Sequence, residues 1–202
     1  MLDAIKHGLG NLINFNGRDA RQAFWYYVLF IYLLTTAIGI VVVMPVMIKS
    51  MMAGVQHGME QARGQDPVAA QAAVQGAIMA SMSNIFPAMM WLGVVTAIIM
   101  VVGLGAAFVR RLHDSDLPGW WALLPAACQL GGLVALPAQM ARMQEKMQSM
   151  DFTNPMAQSA LMSGSFGIGA LLGWAAIGIV IAVGARKSTP GPNRFGDAPF
   201  VV

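Results

Sequence analysis

Four uncharged apolar runs of about twenty residues or more dominate the chain, and a run of that length suits few folds other than a membrane-crossing helix. They extend from Phe24 to Ile48, Ala88 to Val109, Trp120 to Gln139 and Phe166 to Gly184. Lipid satisfies no backbone hydrogen bond, so each run must be a helix or a barrel strand. Barrel strands are about ten residues long and alternate in polarity, whereas these runs are twice as long and apolar on both parities. Helices are therefore expected. Only 10% of the 202 residues are charged, against about 25% in a soluble domain. The expected fold is an all-α four-helix membrane bundle in one domain.

Twenty-three residues precede the first run, which is unlike a signal peptide, whose apolar core follows directly on a charged start. Four spans put both termini on one side. That side holds Lys6, Arg18, Arg21, Arg110, Arg111, Arg186, Lys187 and Arg194, against Lys49, Arg63, Arg142 and Lys146 on the other. The excess of basic residues places the termini in the cytoplasm. The net charge of +3 is too small to argue for nucleic acid. The single Cys128 builds no disulfide framework.

The outer connections, 49–87 and 140–165, are rich in Met, Gln, Ala and Ser and read as helical extensions beyond the outer leaflet. Breaks are expected at Gly64–Pro67 and Asp151–Pro155, where an Asx residue precedes a proline at the first helical position. Pro45, Pro87, Pro125 and Pro137 are expected to kink their helices. Ahead of the first span, Leu2, Ile5, Leu9, Leu12 and Ile13 recur at helical spacing. They describe either a helix lying in the membrane interface or one packed against the cytoplasmic ends of the spans.

Three polar stretches lie at the cytoplasmic face: Phe15-Asn16-Gly17-Arg18 with Arg21, Phe24 and Trp25; Arg110-Arg111-Leu112-His113-Asp114 with Trp120-Trp121; and Pro190-Gly191-Pro192-Asn193-Arg194-Phe195-Gly196. In this order and spacing they resemble the bacterial inner-membrane family known as domain of unknown function 805. The resemblance implies a small polytopic inner-membrane protein and carries no activity with it. It covers the cytoplasmic face and the starts of the spans, but not the outer connections.

Arg18 and Arg21, three residues apart, are expected on one side of the entering turn of the first helix, with Arg110 and Arg111 at the same depth. Guanidinium groups suit phosphate, so Arg18, Arg21, Arg110, Arg111, His113, Asp114, Trp120, Trp121, Asn193 and Arg194 are candidates for holding anionic lipid or a partner protein. The competing expectation is a clamp, in which the arginines pair with Asp19, Asp114, Asp116 and Asp197. His113-Asp114 is the one adjacent pair with acid–base potential. Neighbouring helical side chains diverge by about 100°, however, and no hydrolase, metal or nucleotide motif accompanies the pair. No enzyme activity, metal or cofactor is expected.

Met140, Met143, Met147 and Met150 could suggest Cu(I), but the same spacing serves ordinary packing. Gly169-xxx-Gly173 and Gly93-xxx-Ala97 would allow close helix approach within the chain or in a homo-oligomer. The spans lack an ionisable group at membrane depth, which disfavours a proton-coupled carrier. A small-solute transporter or channel is the alternative function.

Overall fold

The computed structural model describes residues 1–148 and 167–199. Six α-helices occur among them: α1 (Leu2–Gly10), α2 (Arg21–Gln61), α3 (Pro67–Met82), α4 (Ile85–Asp114), α5 (Leu123–Gln148) and α6 (Ile168–Ala185). A 3-10 turn, Gly119–Ala122, leads into α5. Four helical stretches are long and apolar enough to cross a membrane, and each contains one of the apolar runs or most of it. The chain divides into two compact units: Met1–Ala37 with Val94–Leu133 and Ala170–Val202, and Ile38–Gly93 with Val134–Gly169.

In the first unit, Phe24, Tyr27 and Ile31 recur at helical spacing on α2 and meet Ala107, Phe108 and Leu112 of α4 and Val183 of α6. The Phe24 and Phe108 ring centres are 6.2 Å apart. The Tyr27 hydroxyl donates to the Gly103 carbonyl at 3.0 Å, so its polar end is satisfied within the apolar core. Gly184 permits the approach of α6, because a Cβ there would sit 2.9 Å from the Phe24 ring and 2.8 Å from that of Trp25.

The N-terminal helix is packed as the second of its two readings expects. α1 buries Ala4 and Gly8, and a Cβ at Gly8 would run into the ring of Tyr27. Leu2, Leu9 and Ile13 instead remain exposed. At 3.6 residues per turn, this apolar face lies about a third of a turn from the docked one. The helix is packed on α2 and still presents an apolar side.

In the second unit, the break at Gly64–Pro67 is as expected. Gly64 has φ +79°, and the Asp66 side chain accepts from the Val68 and Ala69 amides at 3.0 and 3.1 Å. α2 and α3 approach closely beyond the apolar run: Cβ atoms at Gly54 and Gly58 would lie 2.5 Å from the Ile78 and Val74 Cα atoms.

A further break at Ser83–Asn84 separates α3 from α4. There the Ser83 hydroxyl donates to the Ala80 carbonyl at 2.7 Å, the local side-chain bonding by which serine competes with helix continuation. Two of the four prolines need no kink. Pro87 and Pro125 stand third in α4 and α5, where a helix has no use for their missing N–H. Pro45 and Pro137 are interior. α5 continues past the third apolar run to Gln148. The break at Asp151–Pro155, together with Met150, lies outside the described residues.

Candidate functional site

Residues from all three polar stretches meet at the last turn of α4. Arg110 and Arg111 are sequence neighbours, so they point about 100° apart and reach different segments. Arg110 Nε donates to Asp19 Oδ2 at 2.9 Å, and its Nη1 donates to the carbonyls of Asn11 and Asn14 at 2.9 and 2.6 Å. The other oxygen of Asp19 lies 3.0 Å from His7 Nε2, which ties α1 to the same carboxylate. Arg111 turns the other way. It pairs with Asp114 one turn ahead on its own helix and donates to the carbonyls of Gly184 and Arg186. A cation thereby sits at the C-terminal end of α6, where the helix dipole favours it.

Arg18 brings in the C-terminal tail. Its Nη2 donates to Asp114 Oδ1 at 3.1 Å, the Thr189 carbonyl at 2.7 Å and the Thr189 hydroxyl at 3.0 Å. Its Nη1 donates to the carbonyls of Gly191 and Asp197 at 2.6 and 3.2 Å. The Ser188 hydroxyl completes the Asp114 carboxylate at 2.5 Å, and the Thr189 amide donates to the Asp114 carbonyl at 2.9 Å. α4 is thus capped by residues from elsewhere in the chain, which meets the need of its terminal carbonyls.

An outer layer fastens the tail to the α4–α5 loop. Asn193 and Gly196 exchange backbone hydrogen bonds, closing a turn with Gly196 at φ +135°. Asn193 Nδ2 donates to the His113 carbonyl at 2.9 Å. Arg194 bonds both the side chain and the carbonyl of Asp116. The rings of His113 and Phe195 stack with centres 4.0 Å apart and planes 5° apart. Trp120 and Trp121 stack on each other at 4.6 Å and are exposed.

The ten candidates therefore divide. Arg18, Arg110, Arg111 and Asp114 are buried, at 4%, 2%, 0% and 0% exposure. The expectation that Arg18 and Arg21 share a side of the first helix is corrected. Arg18 precedes α2 and is buried, while Arg21 is the first residue of α2 and exposed. His113 and Asn193 are half-buried, and Arg194 is exposed. Three of the four expected clamp carboxylates, Asp19, Asp114 and Asp116, are engaged; Asp197 contributes its backbone carbonyl.

Sequence reasoning missed His7, Ser188 and Thr189. The four-residue spacing of His7 and Asn11 on α1, and two hydroxyl residues directly before Pro190, were the available signals.

The electrostatics are unbalanced. Among the described residues, three buried guanidiniums face two buried carboxylates. Arg18 Nε and Arg110 Nη2 have no hydrogen-bond partner among the described residues. Burial holds His113 below the ordinary imidazole value. A backbone contact with Gly17 pulls it up, and the Arg194 charge lowers it further. No group of three or more metal-type ligands occurs among the described residues.

Compared with known families, residues 12–197 match the family described as "Protein of unknown function (DUF805)". No curated protein and no solved structure matches the chain.

Proposed function

We propose that this chain, which belongs to the DUF805 family, is a non-enzymatic protein of the bacterial inner membrane with both termini cytoplasmic, and that the α4 end of its first unit holds anionic lipid headgroups. The observation that carries the reading is a division of labour among the cations. Arg18, Arg110 and Arg111 are buried and engaged in internal bonds, while Lys6, Arg21, Arg186 and Lys187 are exposed at the same end of that unit. Basic residues near an anionic surface contribute about 1 kcal/mol each. Trp120 and Trp121 and the exposed apolar side of α1 supply amphipathic and apolar contact beside them.

The test uses the full chain in nanodiscs of phosphatidylglycerol mixed with phosphatidylcholine. Replacing Arg21, Arg186 and Lys187 by Gln is expected to abolish retention of phosphatidylglycerol on extraction, with helix content unchanged. Retention equal to that of the unsubstituted chain would overturn the assignment. Reporter fusions after Val202 and within 65–70 test the orientation, the first expected inside and the second outside.

A further inference from the structure

Among the described residues, the buried cluster holds one more cation than it has anions. Arg18, Arg110 and Arg111 oppose Asp19 and Asp114, and a desolvated charge without its counter-ion is costly. What surrounds Arg18 is mostly neutral. Of the five acceptors around its terminal nitrogens, four belong to the tail: the Thr189 carbonyl and hydroxyl, the Gly191 carbonyl and the Asp197 carbonyl. The fifth is Asp114 Oδ1, whose other oxygen serves Arg111 and Ser188. Carbonyl dipoles solvate a guanidinium but cannot neutralise it. A phosphate group would do both, through charge-assisted and bidentate bonds about twice as strong as neutral ones. Arg18 Nε, buried and without a partner among the described residues, is one further donor that such a group could use.

The tail is also fastened in a way that permits exchange. Outside Arg18 the tail is held by polar attachments, Arg186 on Arg111, Ser188 and Thr189 on Asp114, Asn193 on the His113 carbonyl and Arg194 on Asp116, and by the Phe195 ring on His113. Pro190, Gly191, Pro192, Arg194 and Gly196 are exposed.

We propose that Arg18, with Arg111 beside it across Asp114, is a phosphate-binding site that the C-terminal tail occupies in the ligand's absence. The trio Arg18, Arg111 and Asp114 carries a net single positive charge, suited to a phosphate monoanion or diester. The tail's three carbonyl oxygens hold the positions of phosphate oxygens until a phosphate group displaces them. The inference goes beyond the lipid reading and does not require it, since the site is buried and distinct from the exposed cations.

Hydrogen exchange of the 186–199 segment in the full-length protein tests the competition. One arm titrates inorganic phosphate in detergent. The other compares phosphatidylglycerol nanodiscs with phosphatidylcholine nanodiscs. A free-phosphate site accelerates tail exchange at least tenfold in the first arm; a lipid-headgroup site does so only in the second. Unchanged tail protection in both arms overturns the proposal.

Loosening the outer fastening with N193A/R194A is expected to tighten binding of the effective probe at least fivefold. R18K, which keeps the charge and loses the planar fork, is expected to weaken that binding at least tenfold. Should R18K fold poorly, N193A/R194A alone decides, and affinity equal to that of the unsubstituted chain counts against the site. Substituting the surface cation Arg21, which lies outside the 186–199 segment, leaves tail release by the effective probe unchanged, so the two readings fail separately.

Discussion

Arg110 and Asp19, ninety-one residues apart, hold each other twice: the guanidinium donates to the carboxylate at 2.9 Å, and the Asp19 amide donates to the Arg110 carbonyl at 3.3 Å. Next to this pair Arg18 crosses to Asp114. The consecutive residues Arg18-Asp19 therefore engage α4 with opposite charges at two points four residues apart, and sliding one segment along the other would set like charges together. The two pairs therefore favour one register of the N-terminal segment on α4, a specificity role that buried ion pairs fill in some proteins.

Removing one member of the network should cost far more than removing an exposed pair. Asp114→Asn leaves the guanidiniums of Arg18 and Arg111 short of their shared carboxylate, and about 3–5 kcal/mol of destabilisation is expected for a broken buried pair. Asp116→Asn breaks the exposed Arg194 pair, for which less than about 1 kcal/mol is expected. Reversible denaturant unfolding in detergent measures both. Equal losses would show that burial is not what gives the Asp114 cluster its weight.

α1 should undock without unfolding the rest when its small face is enlarged. Gly8→Val places a side chain into the Tyr27 ring, whereas Gly10→Ala meets nothing within 4 Å. Limited trypsin cleavage after Lys6 is expected to accelerate at least tenfold in the first variant and not in the second. Equal cleavage in both would mean that Ala4 and Gly8 do not hold the helix.

Much of this arrangement is visible in the sequence, and the rest fails for definite reasons. The apolar runs locate α2, α4, α5 and α6 because lipid leaves a long apolar segment no other structure. Asp66-Pro67 marks a helix start because both residues act within one turn. The side on which Arg18 lies is not legible, since that depends on whether α2 begins before or after it, and Asp19, bonded to Arg110 ninety-one residues away, stands just ahead of the helix. The partners of Arg110 and Arg111 were legible in part. Arg111 and Asp114 stand three apart, a spacing that brings side chains together on a helix, but nothing local shows that Arg110 belongs to the N-terminal segment. The fourfold grip of the tail on Arg18 is made largely by backbone carbonyls, which carry no residue signature at all.

Acidification should loosen the tail. His113 is held below the ordinary imidazole value of 6.5, chiefly by burial, so the folded protein binds fewer protons at this site than the unfolded chain. The contribution of the site to stability is complete above about pH 6.5 and declines as pH falls from there toward the lowered folded value. Unfolding midpoints measured from pH 7.5 to 5 should drop more for the unsubstituted chain than for His113→Phe, which keeps a ring against Phe195 and cannot titrate. Parallel slopes would remove His113 from the account.

The α2–α3 hairpin should depend on two glycines one turn apart. Gly54 and Gly58 let α3 approach until hypothetical Cβ atoms would stand 2.5 Å from the Ile78 and Val74 Cα atoms, and Cα atoms, unlike side-chain ends, cannot swing aside. Gly58→Leu must therefore push the helices apart, and overpacking of this kind typically costs about 1–3 kcal/mol. Because Gly58 belongs to the second unit and the Arg18–Asp114 network to the first, the loss should stay local. Hydrogen exchange is expected to rise at 54–80 while protection at 110–117 remains. Loss of protection at both places would mean that the two units unfold together.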